Sequence, residues 1–389
     1  MIPRLLAALA VALALAGCAS KAPLRENAPG TTPLAGTDEA ELWYAMQRAE
    51  DELKRSPLLV RDPALNEYIR GVACKAAGER CRDLRVYIMD VPQFNASMAP
   101  NGLMLVWTGA LLRMRDEAEL AFVLGHETGH FTALHTLRQW RRMKDMSNFL
   151  SAFSLVAYGG GYGSVAQLGS LAGMATMLKY SRDMEREADR LGFEHVVENG
   201  WAPQAGATLW ARMWREEQAR KWDRPLAVFS THPASQERLN DITAAAAAIP
   251  DPPTEHGRDR YRAATRPFLP GWLDKELGQR RYAGSILVIG ELLQDAPPAD
   301  KGLLTFYLGE AYRRRGLNDD RARAAAYYAE AIRLPGVPAA AWREHGFARR
   351  AAGDAAGARA ALRRYLDDAP QAEDRAFVQR ELDKLGGAR

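Results

Sequence analysis

Cysteine is scarce in this chain of 389 residues: only Cys18, Cys74 and Cys81 occur. So few, with no C-x-x-C spacing among them, exclude both a disulfide-dense scaffold and a zinc module built on cysteine. Net charge is also small, +4 overall. No basic stripe interleaved with aromatics stands out, so no nucleic-acid partner is expected. Long apolar runs are missing as well. Leu5 to Leu15 is too short to remain in a bilayer as a helix, and the glycine-broken stretch 148–178 divides into halves that are each too short. Histidine is rare, with seven residues, so two of them at a meaningful spacing carry weight. What is present is an ordinary globular composition, 47% hydrophobic and 26% charged, over a length that suggests two folded units.

Arg4 followed by the apolar Leu5–Leu15 forms a processing signal over residues 1–17. It closes with Leu15-Ala16-Gly17-Cys18, which resembles the bacterial lipobox; the alternative is an ordinary secretory signal with an incidental cysteine. The resemblance implies acylation of Cys18, and Ala19 behind it implies sorting to the outer membrane, with the chain anchored by lipid on the periplasmic side. Residues 18–37, rich in Ala, Pro, Gly and Thr, read as a flexible tether. An oxidising compartment is consistent with an even pair at Cys74 and Cys81. A disulfide there closes a small loop worth about 2 to 3 kcal/mol; two free thiols are the alternative.

Residues 38–249 read as one α+β unit. Asp38 is a plausible N-cap, Asp62-Pro63 looks like the start of another helix, and Leu84–Met89 alternates as a half-buried strand does. Leu103–Trp107 is an apolar strand announced by the turn Pro100-Asn101-Gly102, and Asp116 with Glu119 forms a capping-box pattern before the apolar run Leu120–Leu124. The stretch 148–178 fits either a flap or membrane-facing surface beside basic Arg138, Arg141, Arg142 and Lys144, or a buried helical hairpin. Pro250-Asp251-Pro252-Pro253 marks a linker over 250–265. Residues 266–389 are repetitive. Trp342, Gly346, Gly353, Ala358, Leu362, Tyr365 and Pro370 fit tetratricopeptide spacing, and Leu308, Gly309, Tyr312, Gly316, Ala324, Tyr328 and Ala331 echo it one repeat earlier. Such helix pairs bury their apolar faces only by stacking, either on one another or on the rest of the chain.

The strongest signal is His126-Glu127-Thr128-Gly129-His130, an H-E-x-x-H pattern placed where capping and apolar content predict a helix. Two histidines four apart stand on one helical face and reach one Zn²⁺, while Glu127 is rotated by about 100° and is free to act as a base. A third ligand is required. Six residues past His130 stands Thr136, which excludes the solution with a third histidine there, and nearby His135 lies off the ligand face and reads as structural. Glu185 and Asp189 share a face at i, i+4 further on. Glu185 is the candidate ligand, Asp189 the acceptor that orients a ligating imidazole, and Arg182 is expected beside them.

H-E-x-x-H, then Ser181-Arg182 with Glu185 and Asp189, then Thr231-His232-Pro233 with Arg238, resembles the zinc metallopeptidase family of HtpX, the CAAX prenyl endopeptidase and BepA. The likeness covers roughly residues 40 to 245 and, joined to a repeat tail, is closest to the BepA type. It implies a mostly helical catalytic unit of the gluzincin kind with a small sheet and one Zn²⁺ per chain. It also implies Glu185, not Glu187, as third ligand, and a role for His232 near the metal as oxyanion stabiliser or removable fourth ligand. Asn95-Ala96 and the strand after Gly102 look like the family's substrate-side edge. An extended substrate is therefore expected along Asn95, Gly102 and Leu103 as an added strand. Endopeptidase action on unfolded or misassembled envelope proteins follows, in outer-membrane quality control, with the repeats available to assembly machinery. The rival expectation is a chaperone or assembly scaffold acting through the repeats, with proteolysis secondary.

Overall fold

The computed structural model describes residues 27–145, 180–220 and 236–386, together with Leu226, Val228, Phe229 and His232. Cys18, the leader, Thr231, Pro233 and the stretch 148–178 lie outside the described residues.

Helix α1 (Asp38–Leu53) begins one residue earlier than its acidic start suggests, because Thr37 is the cap and accepts from the Ala40 amide. Helix α2 (Pro63–Ala77) starts as expected, with the Asp62 side chain accepting from Leu65 and proline in the first turn. A disulfide joins Cys74, near its end, to Cys81 in the short 3₁₀ turn that follows.

Among the described residues the sheet has three strands, β1 (Arg85–Met89), β2 (Ala96–Met98) and β3 (Leu103–Trp107), in the order β1-β3-β2. Strand β3 runs parallel to β1, with Leu103 opposite Arg85, and antiparallel to β2, with Met98 opposite Met104. This order corrects the expected docking edge. Leu103 is buried in the central strand with a neighbour on each side, so it has no free edge to offer an added strand; β2 takes the sheet's edge instead. Gly102 is likewise structural. Its φ is +85°, and a Cβ there would lie 2.1 Å from the Asp83 carbonyl oxygen, so the turn admits only glycine. The fully buried Glu50 ties α1 to the sheet, accepting from Arg85, Tyr87 and Asn101.

Helix α3 (Thr108–Arg113) follows β3 directly, and α4 (Glu117–Thr132) begins at the cap Asp116, which accepts from the Glu119 amide. Glu119 reaches back to the Arg115 amide, one residue beyond the ordinary capping box. Every residue of α4 from Glu117 to His130 is buried, which makes it the central helix of the unit rather than an amphipathic one. Around it lie α5 (His135–Asp145), α6 (Arg182–Glu198), α7 (Ala205–Arg220) and α8 (Gln236–Ala247).

Residues 250–265 are not a free tether. Glu255 and His256 accept backbone hydrogen bonds from Ala202 and Ala118. Helix α9 (Arg258–Thr265) buries Tyr261, whose hydroxyl donates to the Leu111 carbonyl. Beyond it come α10 (Leu269–Gly278), α11 (Tyr282–Gln294), α12 (Pro298–Arg315), α13 (Asp320–Ala331), α14 (Ala339–Ala351), α15 (Ala355–Asp368) and α16 (Arg375–Gly386). Helices α12 and α13 pack as a pair, as do α14 and α15. The repeat glycines sit at the close crossings: a Cβ on Gly309 would meet Tyr328 at 2.7 Å, and one on Gly346 would meet Leu362 at 2.7 Å. One hydrophobic core runs without a break from α2 to Ala341 of α14. Among the described residues no helix is long and apolar enough to cross a membrane.

Candidate metal centre

Helix α4 supplies His126, Glu127 and His130, all buried. Helix α6 crosses it closely because both carry glycine at the crossing. A Cβ on Gly192 would stand 2.8 Å from the His126 nitrogen, and one on Gly125 would stand 3.2 Å from Gly192. Ser181 caps α6 by accepting from Met184, and this close approach carries Glu185, in the first turn of α6, to the two imidazoles. His232 completes the group from the segment before α8.

The donor atoms of His126, His130, Glu185 and His232 all lie within 4.8 Å of one another. His126 Nε2 is 3.1 Å from His130 Nε2 and 3.2 Å from His232 Nδ1. Glu185 Oε1 is 3.1 Å from His232 Nδ1 and 3.6 Å from His130 Nε2. Zinc held tetrahedrally at roughly 2.0 to 2.1 Å requires ligand atoms about 3.3 Å apart. The separations bracket that value, and three imidazoles with one carboxylate are a donor set suited to a divalent transition metal.

The electrostatics agree. Burial drives the His130 imidazole well below its usual pKa, so it stands neutral, as a ligand must. Burial opposes charge on Glu185, yet His232 and Arg238 outweigh it and keep the carboxyl below its ordinary range. Asp189, also buried, is held down to about 2 by Arg238, which donates to it at 2.6 and 2.8 Å. Burial pushes the Glu127 carboxyl up, against the pull of His232 and His126. Its Oε1 lies 3.5 Å from His232 Nε2, apart from the four converging donors.

Asp189 Oδ1 stands 3.0 Å from His126 Nδ1, the nitrogen turned away from the cluster. That is the place expected for an acceptor that orients the ring. Arg182 does not join this group; it is exposed at the first position of α6. The guanidinium present is that of Arg238, 2.7 Å from Glu185 Oε2 and seated 5.1 Å over the Trp210 ring. Asn95 is buried just ahead of β2, and its carbonyl accepts from the Trp107 amide. Sequence reasoning missed Tyr180, which stacks on His130 at 3.9 Å between ring centroids and whose hydroxyl bonds Thr136. It also missed Gly192, whose only sequence signal is a glycine inside a helical pattern.

Comparison with known proteins follows the same lines. Residues 60–246 match the profile of Peptidase family M48. The chain is 28% identical over 266 residues to the beta-barrel assembly-enhancing protease of Escherichia coli (strain K12), covering 66% of this chain and 53% of that protein. It is 34% identical over 160 residues to the mitochondrial metalloendopeptidase OMA1 of Schizosaccharomyces pombe, covering 40% and 45%. Metalloprotease YcaL of Escherichia coli (strain K12) is 31% identical over 148 residues, covering 38% and 56%. The chain thus spans about half the length of the curated relatives it matches. With the H-E-x-x-H helix, the carboxylate brought in by α6 and the converging donors on one site, residues 60–246 belong to Peptidase family M48, a family of metalloendopeptidases.

Proposed function

We propose that this chain is a zinc-dependent endopeptidase of the cell envelope that hydrolyses unfolded or misassembled polypeptides on the periplasmic side of the outer membrane. The observation that carries the reading is the convergence of two imidazoles of α4 with the Glu185 carboxylate, beside a Glu127 that does not share their direction. Zinc supplies Lewis acidity, lowering the pKa of water and polarising a scissile carbonyl. Glu127 takes the proton of the attacking water and returns it to the leaving amine. An extended substrate lies along the edge strand β2, near Asn95, and pairs by main-chain hydrogen bonds that demand little of its sequence. The relatives named for β-barrel assembly, the resemblance of Leu15-Ala16-Gly17-Cys18 to a lipobox and the disulfide support the envelope setting. The paired helices after α11 are read as tetratricopeptide repeats that dock assembly machinery, supported by the glycines at Gly309 and Gly346.

His232 has a definite place in this reading. A catalytic site keeps one position open for solvent, and His232 Nδ1 lies among the converging donors, 3.2 Å from His126 Nε2 and 3.1 Å from Glu185 Oε1, where it would serve as a fourth ligand. It therefore holds the resting site closed and must withdraw before substrate is cleaved. In His232→Ala, three ligands remain, so bound zinc is expected to persist while cleavage of casein rises several-fold. Unchanged or slower cleavage removes the closing role.

A further inference from the structure

We propose that His135 and Glu187 are positioning residues for the metal, fixing His130 through its outer nitrogen as Asp189 fixes His126. His130 turns Nε2 into the donor cluster, 3.1 Å from His126 Nε2. A neutral imidazole that offers Nε2 to a metal carries its proton on Nδ1. That Nδ1 lies 2.9 Å from His135 Nδ1, so His135 must accept there and hold its own proton on Nε2. His135 Nε2 in turn lies 3.0 Å from Glu187 Oε2, and Arg138 Nη1 is 3.5 Å from the same oxygen. Every proton in the chain is thereby assigned: His130 donates to His135, and His135 donates to the Glu187 carboxylate. His135 is fully buried, whereas Glu187 is 40% exposed, so the relay runs from the metal centre to the surface.

The backbone is shaped for this contact. Five residues along a continuous helix, His135 would point about 140° away from His130. Instead α4 stops at Thr132, Leu134 takes φ +55°, and α5 starts at His135. A left-handed conformation at a leucine costs on the order of 1 kcal/mol. It is held by packing of Leu134 against Leu42, Leu137 and Trp140. The break redirects His135 back onto His130, and Tyr180 closes the other side of the ring.

The inference rests on the metal-site reading, and zinc affinity measured by competition with a chromophoric chelator separates the two. If the parent chain binds no zinc, the site itself is misread; if it binds and the variants bind equally, only this inference fails. His135→Leu removes the acceptor and is expected to weaken zinc about 10- to 100-fold, the usual effect of losing such a partner. His135→Asn keeps an oxygen near the lost nitrogen and is expected to recover most of that affinity. Glu187→Gln, on the surface, is expected to fold normally and to weaken zinc about threefold or more, with a shifted visible spectrum of the cobalt-substituted protein. The melting temperature of the metal-free forms is expected to stay with the parent for Glu187→Gln. Zinc affinity unchanged in Glu187→Gln overturns the proposal, whether or not His135→Leu can be purified.

Discussion

Glu127→Gln is expected to slow cleavage of unfolded protein by about a hundred- to ten-thousand-fold, the usual worth of a positioned general base, while bound metal stays at the parental level. The two halves of this outcome come from separate observations. The donors that converge belong to His126, His130, Glu185 and His232, so glutamine at 127 removes no ligand. Glutamine also matches the buried carboxylate in volume, so α4 keeps its packing. What is lost is proton acceptance by a carboxyl that burial makes more basic than usual. Cleavage within about threefold of the parent would assign the base elsewhere. The same variant separates enzyme from scaffold, because full complementation of a deletion strain by Glu127→Gln is what a chaperone acting through its repeats requires.

Loss of Arg113 is expected to be the most destabilising single change outside the metal centre. Its guanidinium is 3% exposed and donates to Glu216 of α7 at 2.7 and 2.8 Å and to Glu276 of α10 at 3.0 Å. Glu276 is also bonded by Ser285 and Gln279. One cation at the end of α3 thus joins the metallopeptidase region to the first of the C-terminal helices. Arg113→Met takes the shared guanidinium from two buried carboxylates, leaving Glu216 with Arg220 at 3.7 Å and Glu276 with Ser285 and Gln279, a change that costs about 3 to 5 kcal/mol. For a cooperative unit of this size the melting temperature falls by roughly 10 °C. Arg113→Met combined with Glu216→Leu and Glu276→Leu is expected to regain most of that loss, since a buried ionic group replaced by apolar side chains is often neutral. Calorimetry showing Arg113→Met within 2 °C of the parent would mean that the triad contributes little. That result would also weaken the claim that α9 and α10 are bound into the metallopeptidase region.

The metal centre was legible because its parts follow helical arithmetic. The i, i+4 spacing of His126 and His130, and again of Glu185 and Asp189, fixes faces without knowledge of the tertiary fold. The crossing of α4 and α6 was not legible, since Gly125 and Gly192 become informative only once the two helices are placed against each other. The contact of His135 with His130 was not legible for a related reason. A continuous helix turns it off the ligand face, and the positive φ at Leu134 that redirects it has no sequence signature at a leucine. The strand Leu103–Trp107 was recognised from its apolar run, but its docking role was assigned without the strand order, and β3 proves central. Arg182 was expected beside Glu185, but the buried guanidinium there is that of Arg238 on α8, 53 positions away by residue number, and it reaches the site through folding alone. The proline-rich stretch after Ile249 resembles a linker in composition, yet just beyond it the carbonyls of Glu255 and His256 accept from the Ala202 and Ala118 amides, contacts that local composition does not encode.

The most direct test is metal content by mass spectrometry together with casein cleavage, with and without chelator, for the parent chain and for Glu185→Ala. The expected result is one zinc per parent chain, cleavage that chelator abolishes and zinc restores, and a variant that loses both metal and activity. Zinc retained at full occupancy in Glu185→Ala, or cleavage indifferent to chelator, would contradict a catalytic metal held by His126, His130 and Glu185.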